Sequence, residues 1–369
     1  MPRGLILVFL AACTPDTGGS GGGAGRLDCA TSGHVCTVAG TGERGWSDDG
    51  LAATASHLFL PTDVAEGPDG AMWVVDYNNM RVRRVTAEGT FETVAGSGIH
   101  AYATDGIVAV ESALENPVSL AVAADGVAYI TEQHGARVLR LDDGWLEVYA
   151  GDAESPGYEG WDGDGGPARD ATMSQSIGLA LADDGTLYIG DTRNERIRVV
   201  SPDGIMGTLA GSGESDFIDA DAENACFFQP HHIALGDGVL YVADAGNHAV
   251  RAVDLVTGAV TTVAGMGEPG FSGDGGLGVH AHLDTPQGVA VGLDGELYIA
   301  DSENHVVRVL YTDGTLDTFA GQPGEFGLEG DGGPVEEALL QWPTNVTVTR
   351  DGRLWIADTL NSVVREVVP

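Results

Sequence analysis

One strand pattern recurs six times along the chain, and the sixth copy lacks its last strand. Each copy runs as an apolar strand, an Asp-Gly turn, a strand ending in an acid, an Asn-containing turn, a strand carrying Arg, and a strand ending in Ala-Gly. The turn pairs are Asp69-Gly70, Asp125-Gly126, Asp184-Gly185, Asp237-Gly238, Asp294-Gly295 and Asp351-Gly352. Asp-Gly suits a tight hairpin because both residues accept positive φ at low cost. An aromatic follows at one fixed place: Trp73, Tyr129, Tyr188, Tyr241, Tyr298 and Trp355. Three residues later stands Asp76, Glu132, Asp191, Asp244, Asp301 or Asp358. Three further on come Asn79, Gly135, Asn194, Asn247, Asn304 and Asn361, types that tolerate the left-handed region.

The strand ends Gly96, Gly151, Gly211, Gly265 and Gly321 set a period of about 54 to 60 residues, the length of a propeller blade. Strands apolar on both faces suit sheets stacked radially, each covered by its neighbours. The expected architecture is all-β: six four-stranded blades. The last copy stops at Val363 to Val368, its third strand, while Val35 to Gly40 is an orphan fourth strand. Pairing the two closes the ring and removes two open sheet edges.

The segments DYNNMRVRRV, DTRNERIRVV, DAGNHAVRAV, DSENHVVRVL and DTLNSVVREV resemble the NHL-repeat propellers, and Asn247-His248 and Asn304-His305 keep the Asn-His of that name. The Ala-Gly strand ends and Gly-Asp-Gly-Gly loops are similar to NHL domains of bacterial surface proteins and teneurins. The resemblance covers about Val35 to Pro369. It implies a fold; propellers host many unrelated functions.

Residues 1–12 read as a signal peptide, with Arg3 before the apolar run Leu5 to Leu10. Leu10-Ala11-Ala12-Cys13 resembles a bacterial lipobox, which implies lipidation at Cys13. Residues 13–28, rich in Gly and Ser, read as a flexible tether, and 29–369 as the propeller. This predicts a lipid-anchored protein of the bacterial cell envelope, with no membrane span. Cys29 and Cys36 flank a short loop, and in an oxidising compartment a disulfide there would pin the closing strand. Cys226 is expected to be a small buried apolar residue.

The chain carries 55 acids against 17 bases, a formal net charge of -38, and every base is Arg. Nucleic acid and anionic lipid headgroups are therefore poor partners. The expected partner is a protein, peptide or glycan met by a monomer. Arg83, Arg198, Arg251, Arg308 and Arg365 share one repeat position, with Leu139 in the second copy. They are expected to pair with the acid ending the preceding strand.

Strand direction alternates within each blade. The Asn turns therefore share a face with the long crossings between blades, and the Asp-Gly turns occupy the other. Long loops on a rigid scaffold usually carry binding. Each crossing bears an Asp at a fixed distance before the next blade: Asp49, Asp105, Asp164, Asp274 and Asp331, with Ile218 then Asp219 in the fourth. Two readings stand: a backbone cap, or a Ca²⁺ ligand in an oxygen-rich, Gly-flexible loop. Apolar Leu58, Leu114, Met173, Phe227, Leu283 and Leu340 should tuck a helical turn onto the blade.

No nucleophile elbow, phosphate loop or HExxH motif is present. His57 and His282 occupy equivalent crossings, which the ring should hold apart. Where the innermost strands begin, Asp63, Ser119, Gly178, His232, Gly288 and Asn345 should rim the mouth of the central channel. Two functions follow. The first is an envelope-anchored binding scaffold working through the long-loop face, with no cofactor. The alternative is a metal-dependent lyase or lactonase using Asp63, His231, His232 and Asn345.

Overall fold

The computed structural model describes residues 31–152, 154 and 160–368. Cys13, Cys29 and the expected signal and tether lie outside the described residues. Six antiparallel sheets form the blades of a propeller. The first blade runs outward as Pro61–Glu66, Met72–Asp76, Arg81–Val85 and Phe91–Ala95. Its innermost strand starts beside the Asn-turn face and ends at Asp69-Gly70. Gly70 takes φ 77°, as the turn requires.

Closure is as expected. Val35–Ala39 pairs antiparallel with Val363–Val367, Val35 opposite Val367 and Thr37 opposite Arg365. Three blades gain a short fifth strand at the outer edge: Ile107–Val108, Ala220–Asp221 and Gly276–Leu277. Each belongs to a crossing. The crossings thus leave the Asn-turn face, descend the outer edge of the next blade and climb back, covering an edge that would otherwise be open. Leu58, Leu114, Met173, Phe227, Leu283 and Leu340 are fully buried on the return. In five crossings a 3-10 turn precedes them, as at Ala53–Ala55.

The core lies between blades rather than inside one. Ala300, Val307 and Ala320 of the fifth blade pack against Val346, Ile356 and Val367 of the sixth. Where Ala-Gly ends a strand, a side chain would not fit: a Cβ on Gly321 would stand 2.8 Å from the His305 carbonyl oxygen. Every blade also carries a bulge between its third and fourth strands, at Val82/Arg83, Ile197/Arg198, Val250/Arg251 and Val307/Arg308 among others. The extra residue twists the outer strand, and in five blades it leaves a Thr opposite the repeat Arg.

The Asn turns differ from expectation in one respect. The left-handed residue is the one after Asn: Met80, Glu195, His248, His305 and Ser362 all have φ between 50° and 60°. Asn itself is held by its side chain, which has bonds to make.

Candidate functional site

Six buried Arg side chains organise the Asn-turn face. Arg251 donates to Asp244, which ends the strand before it, at 2.9 Å, and to Asp219 in the crossing at 2.6 Å. Arg198 bridges Asp191 at 3.2 Å and Asp164 at 2.6 Å. Arg308 bridges Asp301 and Asp274, and Arg365 bridges Asp358 and Asp331. Arg83 reaches Asp49 at 3.1 Å. In the second blade, where Leu139 holds the repeat position, Arg137 substitutes from two residues earlier and pairs with Glu132. Two residues along a strand keep the same face, so the charge returns to the same place.

The Ca²⁺ reading of the crossing carboxylates meets a cation already in place. Asp49, Asp164, Asp274 and Asp331 each face an Arg guanidinium, and Asp105 accepts from the Val148 amide and from Arg169. Asp219, at the shifted place, faces the Arg251 guanidinium. The capping reading is the observed one: Asp49 also accepts from the amide and hydroxyl of Thr93, on the outermost strand. Burial works against the charge of Asp164, but bonds from Thr208 and Arg198 outweigh it and hold its carboxyl below the usual range. Burial dominates at the strand-end acids. Asp76, Asp191, Asp244 and Asp358 are pushed up to about 6 and Asp301 to about 7, against the pull of their Asn, amide and Arg partners.

Asn carries the network to the surface. Asn304 donates to Asp301 and to the Gly270 carbonyl, both at 2.8 Å. Asn79, Asn194, Asn247 and Asn361 do the same to their own acids and to the carbonyls of Gly45, Gly160, Asp216 and Gly327. The next residue in each loop is Trp46, Trp161, Phe217, Phe271 or Leu328. Trp46 lies over Arg81 at 3.7 Å, Trp161 over Arg196 at 4.5 Å and Phe271 over Arg308 at 4.6 Å. These contacts hold the rings by cation–π attraction on the face the Asn turns share. Trp161 is 53% exposed and Phe271 37%; Tyr102, Met266 and Phe326 add exposed apolar surface from the same crossings. Sequence reading missed this ring. Its signal was an aromatic three residues before the crossing Asp in the first, second, third and fifth copies.

The channel residues come together differently from expectation. Asp63 and His232, from opposite blades, meet across the axis, with His232 Nε2 3.7 Å from Asp63 Oδ2. Ser119 Oγ and Asn345 Nδ2 donate to the same carboxylate. Rather than rimming a mouth, these side chains bar the channel three residues into the innermost strands. The open space lies beyond them, toward the Asp-Gly face: a cavity of about 290 Å³ floored by Asp63, His232 and Asn345 and walled by the remaining innermost-strand residues. His231 does not line it; burial pulls its imidazole down to about 3. Gly178 and Gly288 leave no room for a side chain beside the neighbouring strands.

His57 and His282 stay apart, each bonded to a hydroxyl of its own loop, Thr41 or Ser272. Among the described residues, no group of three or more His, Cys, Asp or Glu side chains is placed to hold a metal. No described helix is long and apolar enough to cross a membrane. Cys226 is a buried free thiol near Ser212 Oγ, and Cys36 is disulfide-bonded.

The NHL repeat model matches residues 283–310, the stretch from the buried Leu283 through the Asn304-His305 turn to Leu310. The chain carries the NHL repeat in a six-bladed propeller. Teneurin-m of Drosophila melanogaster is 29% identical over 351 residues, which cover 86% of this NHL chain but 12% of that protein. Among solved structures, an auxiliary nutrient binding protein from Bacteroides thetaiotaomicron matches with TM-score 0.65 at 16% identity, over 90% of this chain and 75% of that one. A streptogramin B lyase matches at TM-score 0.54 and 16% identity, over 85% and 94%. At such identity these neighbours share the fold with this chain.

Proposed function

We propose that this chain is an extracytoplasmic binding module that meets a protein, peptide or glycan through its Asn-turn face, carried on a lipid anchor at Cys13. The observation that supports the reading is the exposed pair Trp161 and Phe271, each stacked on an Arg guanidinium and each next to a Gly whose carbonyl an Asn amide holds. Rigid aromatic surface contributes contact area at small entropic cost. The crossing carboxylates around it are about half exposed, from 40% to 47% at Asp49, Asp105, Asp164, Asp219 and Asp274. Aromatic rings flanked by carboxylates favour a sugar face or a cationic peptide. The description of a solved relative as nutrient-binding agrees with a binding role in the envelope.

Screening the mature protein against glycan and cationic-peptide arrays tests this. Trp161→Ala and Phe271→Ala should abolish whatever binding is found, with the melting temperature unchanged. Binding that persists in both variants refutes the assignment of the face. Mass spectrometry of the mature N-terminus tests the anchor: an unmodified Cys13, or no cleavage before it, removes that part of the proposal.

A lyase or lactonase mechanism would ask the channel residues to act on a substrate. Asp63 is committed to four donors and His231 is sealed away, so the geometry gives that reading little support.

A further inference from the structure

The floor of the channel cavity holds two buried acceptors without a donor, Asn345 Oδ1 and His232 Nε2. Asp63 is 2% exposed, with no Arg beside it. Its Oδ1 accepts from the Val64 amide at 2.7 Å and from Asn345 Nδ2; its Oδ2 accepts from the Leu120 amide at 2.8 Å and Ser119 Oγ at 2.7 Å. These bonds hold the carboxylate fixed. Spending its Nδ2 on Asp63 leaves Asn345 Oδ1 buried and unpartnered. His232 Nδ1 lies 3.2 Å from the Gln287 carbonyl, which can only accept, so Nδ1 carries the proton. In the neutral ring Nε2 is then a lone pair, also buried and unpartnered, facing Asp63 at 3.7 Å. Orphaned buried acceptors are costly, and two of them beside one carboxylate call for a cationic donor.

We infer that this cavity is a binding site for an alkylammonium group. The N–H donors of a primary ammonium match the two orphaned acceptors, Asn345 Oδ1 and His232 Nε2, beside the Asp63 carboxylate. Aliphatic walls from Leu120, Leu179, Ile233, Val289 and Val346 take the carbon chain. A volume of about 290 Å³ suits a small ligand. The net charge of -38 raises the local concentration of any cation. Entry is from the Asp-Gly face, so the site is separate from the aromatic ring. The same group is carried by a free small amine and by a lysine side chain reaching in from a partner.

The test is calorimetric titration of the folded protein with n-pentylammonium chloride and with N-acetyl-lysine methylamide, using n-pentanol and pentanoate as controls. At least one of the two amines should bind saturably, one per chain, with a dissociation constant on the order of 1 mM. Which of them binds identifies the source. Asp63→Asn should weaken binding at least about tenfold. Val291→Phe, at the cavity entrance and away from the floor, should weaken it, with the melting temperature read alongside to show that the variant folds. The proposal is overturned if neither amine binds, if n-pentanol binds as well as the amine, or if a folded Val291→Phe variant binds like the parent.

Discussion

The backbone N–H of Trp342 donates to Nδ1 of His305 at 3.2 Å, and this one bond ties the Asn turn of the fifth blade to the entry of the sixth. Trp342 has φ 54° and precedes Pro343. Its amide turns away from every strand and needs an acceptor brought to it. Thr285 meets His248 Nδ1 at 3.0 Å in the same way, and Gln229 meets Glu195. The His after Asn is therefore an inter-blade clasp, and three copies of one position use two chemistries.

These clasps should respond to pH in opposite senses. Burial lowers the imidazoles of His305 and His248 from 6.5, so their contribution is full above that value and is lost as pH falls below it. Burial raises Glu195 to about 7, with Asp244 and Asp191 adding to the rise. The folded state then holds a proton that the unfolded chain releases near 4.5, so this stabilisation fades as pH climbs from about 4.5 to about 7. Denaturation midpoints across pH 5 to 8 should show Glu195→Gln flattening the neutral limb and His305→Gln flattening the acid limb. Unchanged slopes in both variants would reject the assignment.

Arg251→Met should cost about 3–5 kcal/mol, because Asp244 would remain buried without its cation. Adding Asp244→Asn should restore part of the loss. Urea titration of the single and double variants measures the coupling; additive costs would mean the pair acts only as packing.

Asn79→Ala should free the Gly45 carbonyl and loosen the loop that presents Trp46, at a cost of about 1–3 kcal/mol. Amide hydrogen exchange should rise in residues 43–49 and stay unchanged in the innermost strands. Equal exchange in parent and variant would show that Arg81 and Arg83 hold the ring without the Asn bond.

Removing Val35–Ala39 should leave Val363–Val367 as an exposed strand edge. The shortened protein should melt lower and associate, which light scattering after gel filtration would detect. A monomer with the parent melting temperature would mean the closing ladder contributes little.

The blades were legible because their signals are local. An Asp-Gly pair, a fixed aromatic and an Ala-Gly end each act within a few residues, and Thr37 met Arg365 through an unpaired strand count. Arg251 with Asp244 was equally readable, seven residues apart on one hairpin. The second partner, Asp219, was not: reaching it requires the crossing to double back along the outer edge of the blade, a path set by tertiary packing. Trp161 and Phe271 were hidden for the same reason, since their loops are aimed by Asn amides far along the chain. Asp63, His232 and Asn345 were correctly placed on one ring. Their depth depends on how far six strands approach the axis, which no single strand records.

The ladder between Val35 and Val367 has a consequence for biogenesis. One half of that pairing leaves the ribosome before any blade is made, and the other only after five blades have followed it. Through nearly the whole interval the early ribbon must wait without its mate, exposed to chaperones, to proteases and to sister chains. Maturation of this propeller should therefore depend less on how quickly each blade forms than on how well the early strand is sheltered until its mate emerges.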